Sequence, residues 1–269
     1  MTDSDAESDV LDLSGRRLHR IEVPPGLDPA TIICDKNNVS KIENLERCHN
    51  LKQLSLSGNR LVRMTGIGKL KNLTVLNLPN NSIVAVEGLK ELLQLEWLNL
   101  SGNSIKAMEN LNTNISLGHL DLSDNSISSL SDITHLRSLR TLLLHGNILT
   151  SLRTVPQHFP KSIAILSLAE NEIGDINEVM YLSCLPYLEQ LSLTNNPCVL
   201  MTASTPYPCL YIHVLDGYLI RDKERLKAEW IYCQGKGRHF KPGQHVEVVE
   251  YLASVCPLTN SAELQMQFA

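Results

Sequence analysis

The 269-residue chain predicts an α/β solenoid, a right-handed horseshoe with a parallel concave sheet, short 22-residue coils and a C-terminal helical cap. Two observations carry this. An asparagine recurs every 22 residues at Asn37, Asn59, Asn81, Asn103, Asn125 and Asn147, then after longer steps at Asn171 and Asn196. Each regular coil also closes the pattern LxxLxLxxN, as in Leu73, Leu76 and Leu78 before Asn81. Self-similarity of this kind is the signature of a leucine-rich-repeat solenoid. No single coil can hide its apolar face, so the stacked array is the stable unit.

The elements follow in chain order. Residues 1–9 are acidic and Ser-rich and are expected to be disordered; residues 10–221 form the repeat domain with its terminal caps. An opening half-repeat keeps Leu11, Leu13, Leu18 and Ile21 in phase but has Arg16 where an asparagine is expected, before Pro24-Pro25 breaks the chain. In the coils that follow, alternation such as Leu98-Asn99-Leu100 turns the leucines inward and Asn99 outward. A second apolar set, as in Ile105, Met108 and Leu111, fills the convex half. Burial of each inward leucine contributes roughly 1.5–3 kcal/mol. The ladder asparagine, with donors and an acceptor on one amide, is expected to pair backbone groups of its own and the adjacent coil.

A 22-residue coil is too short for a full helix, so short 3-10 turns or single helical turns are expected on the convex side. The steps to Asn171 and Asn196 are longer by two and three residues and contain Pro156 and Pro160, which predicts a bulged loop and a longer helical turn. After Asn196-Pro197 the repeats stop. Residues 222–257 read as a helical extension: Leu226, Trp230 and Cys233 share one helical face, and Val248, Tyr251, Leu252 and Val255 another. Residues 258–269 have no periodicity and are expected to fray.

Net charge is −5, so charge gives no support to a general nucleic-acid or anionic-membrane role. The amino terminus lacks the basic flank and apolar stretch of a signal peptide. No run approaches the length of a membrane span. The seven cysteines contain no CxxC pair, and Cys34 and Cys48 occupy inward positions as small core hydrophobes. A reducing, intracellular compartment is the expectation.

Exposed strand positions form two rows on the concave face. One contains Val75, Trp97 and His119; the other contains Asn99, Asp121 and Leu143, with His145 just beyond. Trp97 among small polar residues is expected to be an interface anchor. His119, Asp121 and His145 invite a metal or acid–base reading, but no third histidine aligns and no nucleophile has a base and an orienter. No catalytic, metal or cofactor site is therefore assigned, and the chain is expected not to be an enzyme. The basic loop Gly235-Lys236-Gly237-Arg238-His239-Phe240-Lys241 reads as a connector between helices.

Several stretches carry a resemblance. VLNLPNNSI at Val75–Ile83, LEWLNL at Leu95–Leu100, ILSLAENEI at Ile165–Ile173, VLDGY at Val214–Tyr218, LKAEW at Leu226–Trp230, QGKGR at Gln234–Arg238 and YLASVCPLT at Tyr251–Thr259 are similar to the amino-terminal repeat region of the ninety-seven-kilodalton centrosomal protein family. The last three, taken in order, are the specific part. The resemblance implies a scaffold of the centrosome and centriole, in the cytoplasm and its cytoskeleton. It implies work with a coiled-coil centriolar capping protein to cap distal centriole ends and restrain assembly of primary cilia.

Two departures accompany the resemblance. The segment Thr205 to His213 is abbreviated, and the family's carboxyl-terminal part, with its calmodulin-binding IQ motif, has no counterpart here. The chain therefore reads as a short or truncated form. A phosphatase-regulatory leucine-rich-repeat subunit is the alternative, since such proteins share the short coil.

Overall fold

The computed structural model describes residues 9–200 and 213–220. Its centre is an 11-stranded sheet in which the strands follow one another in chain order. Strands β1 (Val10–Asp12), β2 (Thr31–Ile33), β3 (Gln53–Ser55), β4 (Val75–Asn77) and β5 (Trp97–Asn99) are each three residues long. So are β6 (His119–Asp121), β7 (Thr141–Leu143), β8 (Ile165–Ser167) and β9 (Gln190–Ser192). Neighbours pair in parallel with equivalent residues opposite, as in Leu76, Leu98 and Leu120. From β2 onward the middle residue of each three-residue strand is buried, which is the period-two alternation of a sheet with one covered face.

The pairing continues past the strand ends. Leu100 N–H donates to the Asp121 carbonyl at 2.8 Å and Gly102 N–H to the Ser123 carbonyl at 3.0 Å. At the turn that follows, every ladder asparagine ties two coils. Asn103 Oδ1 accepts the Ile83 N–H at 2.9 Å, while its Nδ2 donates to the carbonyls of Leu78 (3.1 Å), Leu100 (2.9 Å) and Ser101 (3.1 Å). The first coil has no asparagine of its own, and Asn37 Oδ1 serves both its Arg16 and Leu18 N–H groups at 3.0 Å.

The residue before each ladder asparagine is left-handed: Lys36, Gly58, Asn80, Gly102, Asp124, Gly146, Glu170 and Asn195 all have positive φ. Glycine alternates with a residue bearing a side chain along the regular stretch. A Cβ at Gly102 would stand 2.6 Å from Asn80 Oδ1, so the side chain of one coil occupies the space left by the glycine of the next.

Opposite the sheet, most coils turn without regular helix. A short 3-10 turn spans Ile67–Lys69, and the longer coils carry α1 (Val155–His158) and a nine-residue 3-10 helix at Ile176–Cys184. The bulged loop expected in the first long coil is thus a single helical turn with Pro156 at its start. Inward residues of all coils merge into one leucine-dominated core that includes Cys34 and Cys48. Helix α2 (Pro197–Leu200) follows the last regular turn.

The far edge closes with β10 (Val214–Leu215), parallel to β9, and β11 (Tyr218–Leu219), antiparallel to β10. Asp216 and Gly217 between them have φ 52 and 83, as a tight hairpin turn requires. Asp216 Oδ1 then accepts from Ser192 Oγ and from the N–H groups of Leu193 and Thr194. The expected acidic start, except Asp9, the helical C-terminal extension and the frayed tail lie outside the described residues.

Candidate interaction face

The concave face is built by strand positions that the alternation turns away from the leucines. Register puts Val75, Trp97 and His119 opposite one another on β4, β5 and β6, and likewise Asn99, Asp121 and Leu143 on β5, β6 and β7. Trp97 is 43% exposed, while Val75, His119 and Leu143 are half-buried. The Trp97 and His119 rings lie parallel, with centroids 3.4 Å apart and planes 3° apart. Two adjacent coils thus join into one aromatic platform. Gly118, beside His119, adds no side chain that would cover it.

Burial pushes the His119 imidazole below its ordinary pKa, partly offset by the negative charge of Asp121. The neutral ring is the form that this setting favours. Asn99 and Asp121 are engaged locally. Asn99 Oδ1 accepts Ser101 N–H (2.9 Å) and Ser101 Oγ (2.8 Å), and Asp121 Oδ1 accepts Ser123 N–H (3.0 Å) and Ser123 Oγ (2.6 Å). Their acceptors therefore shape the turn before they can greet a partner. His145 sits beyond β7, where its carbonyl accepts Asp124 N–H at 2.8 Å. His119, Asp121 and His145 make no metal-binding group, and no set of three or more His, Cys, Asp or Glu side chains does so among the described residues. The basic loop from Lys236 to Lys241 lies outside them.

Two polar residues escape the repeat logic. Glu178, 6% exposed, accepts Ser151 Oγ (2.9 Å), Leu152 N–H (2.8 Å) and Arg153 Nε (3.0 Å) from the preceding coil. Burial pushes its carboxyl up, but these three donors together hold it below the ordinary range. Asn114 occupies an inward position that is Leu70, Leu92 and Leu136 in other coils; its Nδ2 reaches the carbonyls of Leu89 and Leu92 at 3.0 and 2.9 Å. A break from leucine in that column was the available signal for Asn114. For Glu178 the signal was the sequence Asp175-Ile176-Asn177-Glu178, a helix-start pattern.

Residues 93–241, more than half of the chain, match the family model described as Leucine-rich repeat, and residues 49–91 match one for two copies of the repeat. The chain belongs to the leucine-rich-repeat family. Within it, the chain is 62% identical over 96% of its length to the Centrosomal protein of 97 kDa of Homo sapiens. The corresponding protein of Xenopus laevis is 62% identical over 98% of this chain. The resemblance read from the motifs is thereby borne out, and both relatives are centrosomal by name. The chain spans 31% and 34% of their respective lengths. As a leucine-rich-repeat fold it is also similar to an internalin of Listeria monocytogenes, with a TM-score of 0.58 at 19% identity over 74% of this chain and 64% of that one.

Proposed function

We propose that this chain is a non-catalytic docking module of a centrosomal scaffold, which grips a protein partner on its concave face around Trp97. The observation that carries the reading is the exposed, stacked Trp97–His119 platform in the middle of the sheet. A rigid aromatic centre with polar neighbours is the arrangement in which a few residues supply most binding energy. Val75 and Leu143 extend its apolar area, and Asn99, Asp121 and His145 form its rim. The partner proposed on the strength of the resemblance is a coiled-coil centriolar capping protein, and the cellular consequence is restraint of primary cilium assembly. The family's calmodulin-binding IQ region has no part in this module.

The test is calorimetric titration of the coiled-coil capping partner into the wild-type chain and into Trp97→Ala, after both are shown to melt alike. Alanine is expected to cost about 2–4 kcal/mol of affinity. Equal affinity in the two proteins would sink the concave-face reading.

A further inference from the structure

Opposite the sheet, the third coil differs in sequence from both of its neighbours. The third coil carries Thr65-Gly66-Ile67-Gly68, where the second has Glu43-Asn44-Leu45-Glu46 and the fourth Glu87-Gly88-Leu89-Lys90. Gly66 has φ 97, and the Ile42 carbonyl stands where its Cβ would be, so only glycine fits. Gly68, two residues on, instead faces the fourth coil, where a Cβ would stand 3.2 Å from the Gly88 carbonyl. A furrow runs between the second and third coils here, in two stretches of about 220 and 360 Å³ that share Leu45, Glu46, Lys69 and Leu70.

The floor of the furrow is apolar, made by Ile42, Leu45, Leu51 and Leu70, and its rim carries Lys41 and Lys69 beside Glu43 and Glu46 in one stretch and Lys69, Lys71 and His49 beside Glu46 in the other. Lys69 lies 3.3 Å from Glu46 and Lys71 lies 3.8 Å from Glu91, and all four side chains are more than half exposed. Such solvated pairs hold little energy, so a partner's carboxylates can replace them at small cost.

Charge decides what fits. Between Lys36 and Lys71 there are eight exposed lysines and arginines against two carboxylates, Glu43 and Glu46; from Asn72 to Asp124 the balance reverses, with six carboxylates against Lys90 and Lys106. Of these, Lys41, Lys69 and Lys71 line the furrow beside Glu43 and Glu46, a local positive excess in a chain of net charge −5. A nucleic-acid backbone would satisfy the field and leave the slot's floor uncovered. A peptide with both carboxylates and aliphatic side chains satisfies both.

We propose that the furrow between the second and third coils is a second docking site, separate from the concave face, for an acidic partner segment that bears aliphatic side chains between its carboxylates. The probe is a fluorescein-labelled peptide of repeating Glu-Glu-Leu, titrated with the whole chain and followed by fluorescence anisotropy. Binding is expected to weaken with added salt. The pair Lys41→Glu and Lys71→Glu should weaken it by on the order of tenfold or more, as loss of complementary charge does. Thr65→Leu, at an exposed residue that lines the first stretch, narrows the slot without changing charge and should weaken it comparably while the melting curve stays near wild type.

Several results would overturn the proposal. One is no binding, or unchanged binding in the lysine variant. Unchanged affinity in Thr65→Leu would leave only a diffuse field, as would equal affinity for a glutamate-only peptide or a single-stranded oligonucleotide. Tighter probe binding after removal of residues 1–8 would mean that the chain's own acidic start is the occupant.

Discussion

Between Asn59 and Asn147 every coil is 22 residues long and its turn is tied by one asparagine, whereas the coils that end at Asn171 and Asn196 are longer and add Glu178 as a second tie. At the turn of a short coil one asparagine suffices, because the Asn103 amide reaches a backbone N–H and three carbonyls at once, while Asn114 adds a tie only on the opposite side of its coil. In the long coils α1 packs against the nine-residue 3-10 helix, and the extra backbone has to be joined across coils. There Glu178 takes the Leu152 N–H, which no ladder asparagine reaches. Regular spacing thus lets one residue type serve every turn, and each added residue of coil length calls for a specific partner.

The largest effect is expected in the short coils. Asn103→Ala leaves the Ile83 N–H without its acceptor and takes one of two amide donors from the Leu78 and Leu100 carbonyls, which keep Asn81 and Asn125, a loss of about 3 kcal/mol in unfolding free energy by urea titration. An unchanged midpoint would show that water replaces the amide, and the contrast between the two regions would collapse.

Next comes Glu178→Ala, at about 2 kcal/mol, because the buried Leu152 N–H and the Ser151 hydroxyl lose their acceptor while Arg153 stays in solvent. Acid sharpens the same point. The Glu178 carboxyl is depressed in the folded chain, so its contribution is complete above the ordinary carboxylate range and is lost as pH falls through the lower folded value. Hydrogen exchange at decreasing pH should therefore rise around Leu152 before it rises around Leu98, and simultaneous opening would contradict this.

The smallest effects come from one pair of glycines. Gly102→Ala meets both a positive φ and the Asn80 side chain, and should cost about 1 kcal/mol. Gly174, in the last long coil, has open space within 4 Å of where an alanine methyl would stand and no positive φ, so alanine there should be neutral or stabilising by about 0.5 kcal/mol. Thermal melts of the two variants compare the regions directly, and equal costs would remove the distinction between an interlocked and an open turn.

The solenoid was legible because its cause is periodic. Leucine spacing sets which residues face inward, and parallel register then follows one residue per coil, so the pairing of Val75 with Trp97 and of Trp97 with His119 could be written down from numbering alone. What escaped was whatever depends on one coil meeting another at a single place. Ring stacking of Trp97 on His119 requires particular rotamers, and adjacency alone does not specify them. Glu178 reads as an exposed helix-start acid until the neighbouring coil supplies its donors. The closing hairpin was not read, although Asp216-Gly217 is a turn signal, and neither was its tie to Ser192, Leu193 and Thr194.

The alternation before the ladder asparagines sets a rule for cutting and splicing this protein. Asn80 leans into the space of Gly102 and Asp124 into that of Gly146, so successive coils are not interchangeable even though their leucines coincide. Excising one coil, for example residues 82–103, would set Asn80 against Asp124 and bring two side chains to a place made for one. Excising two would restore the match. The exchangeable segment is therefore a pair of coils, and recombination that respects the pair could lengthen or shorten the array without redesigning a single turn.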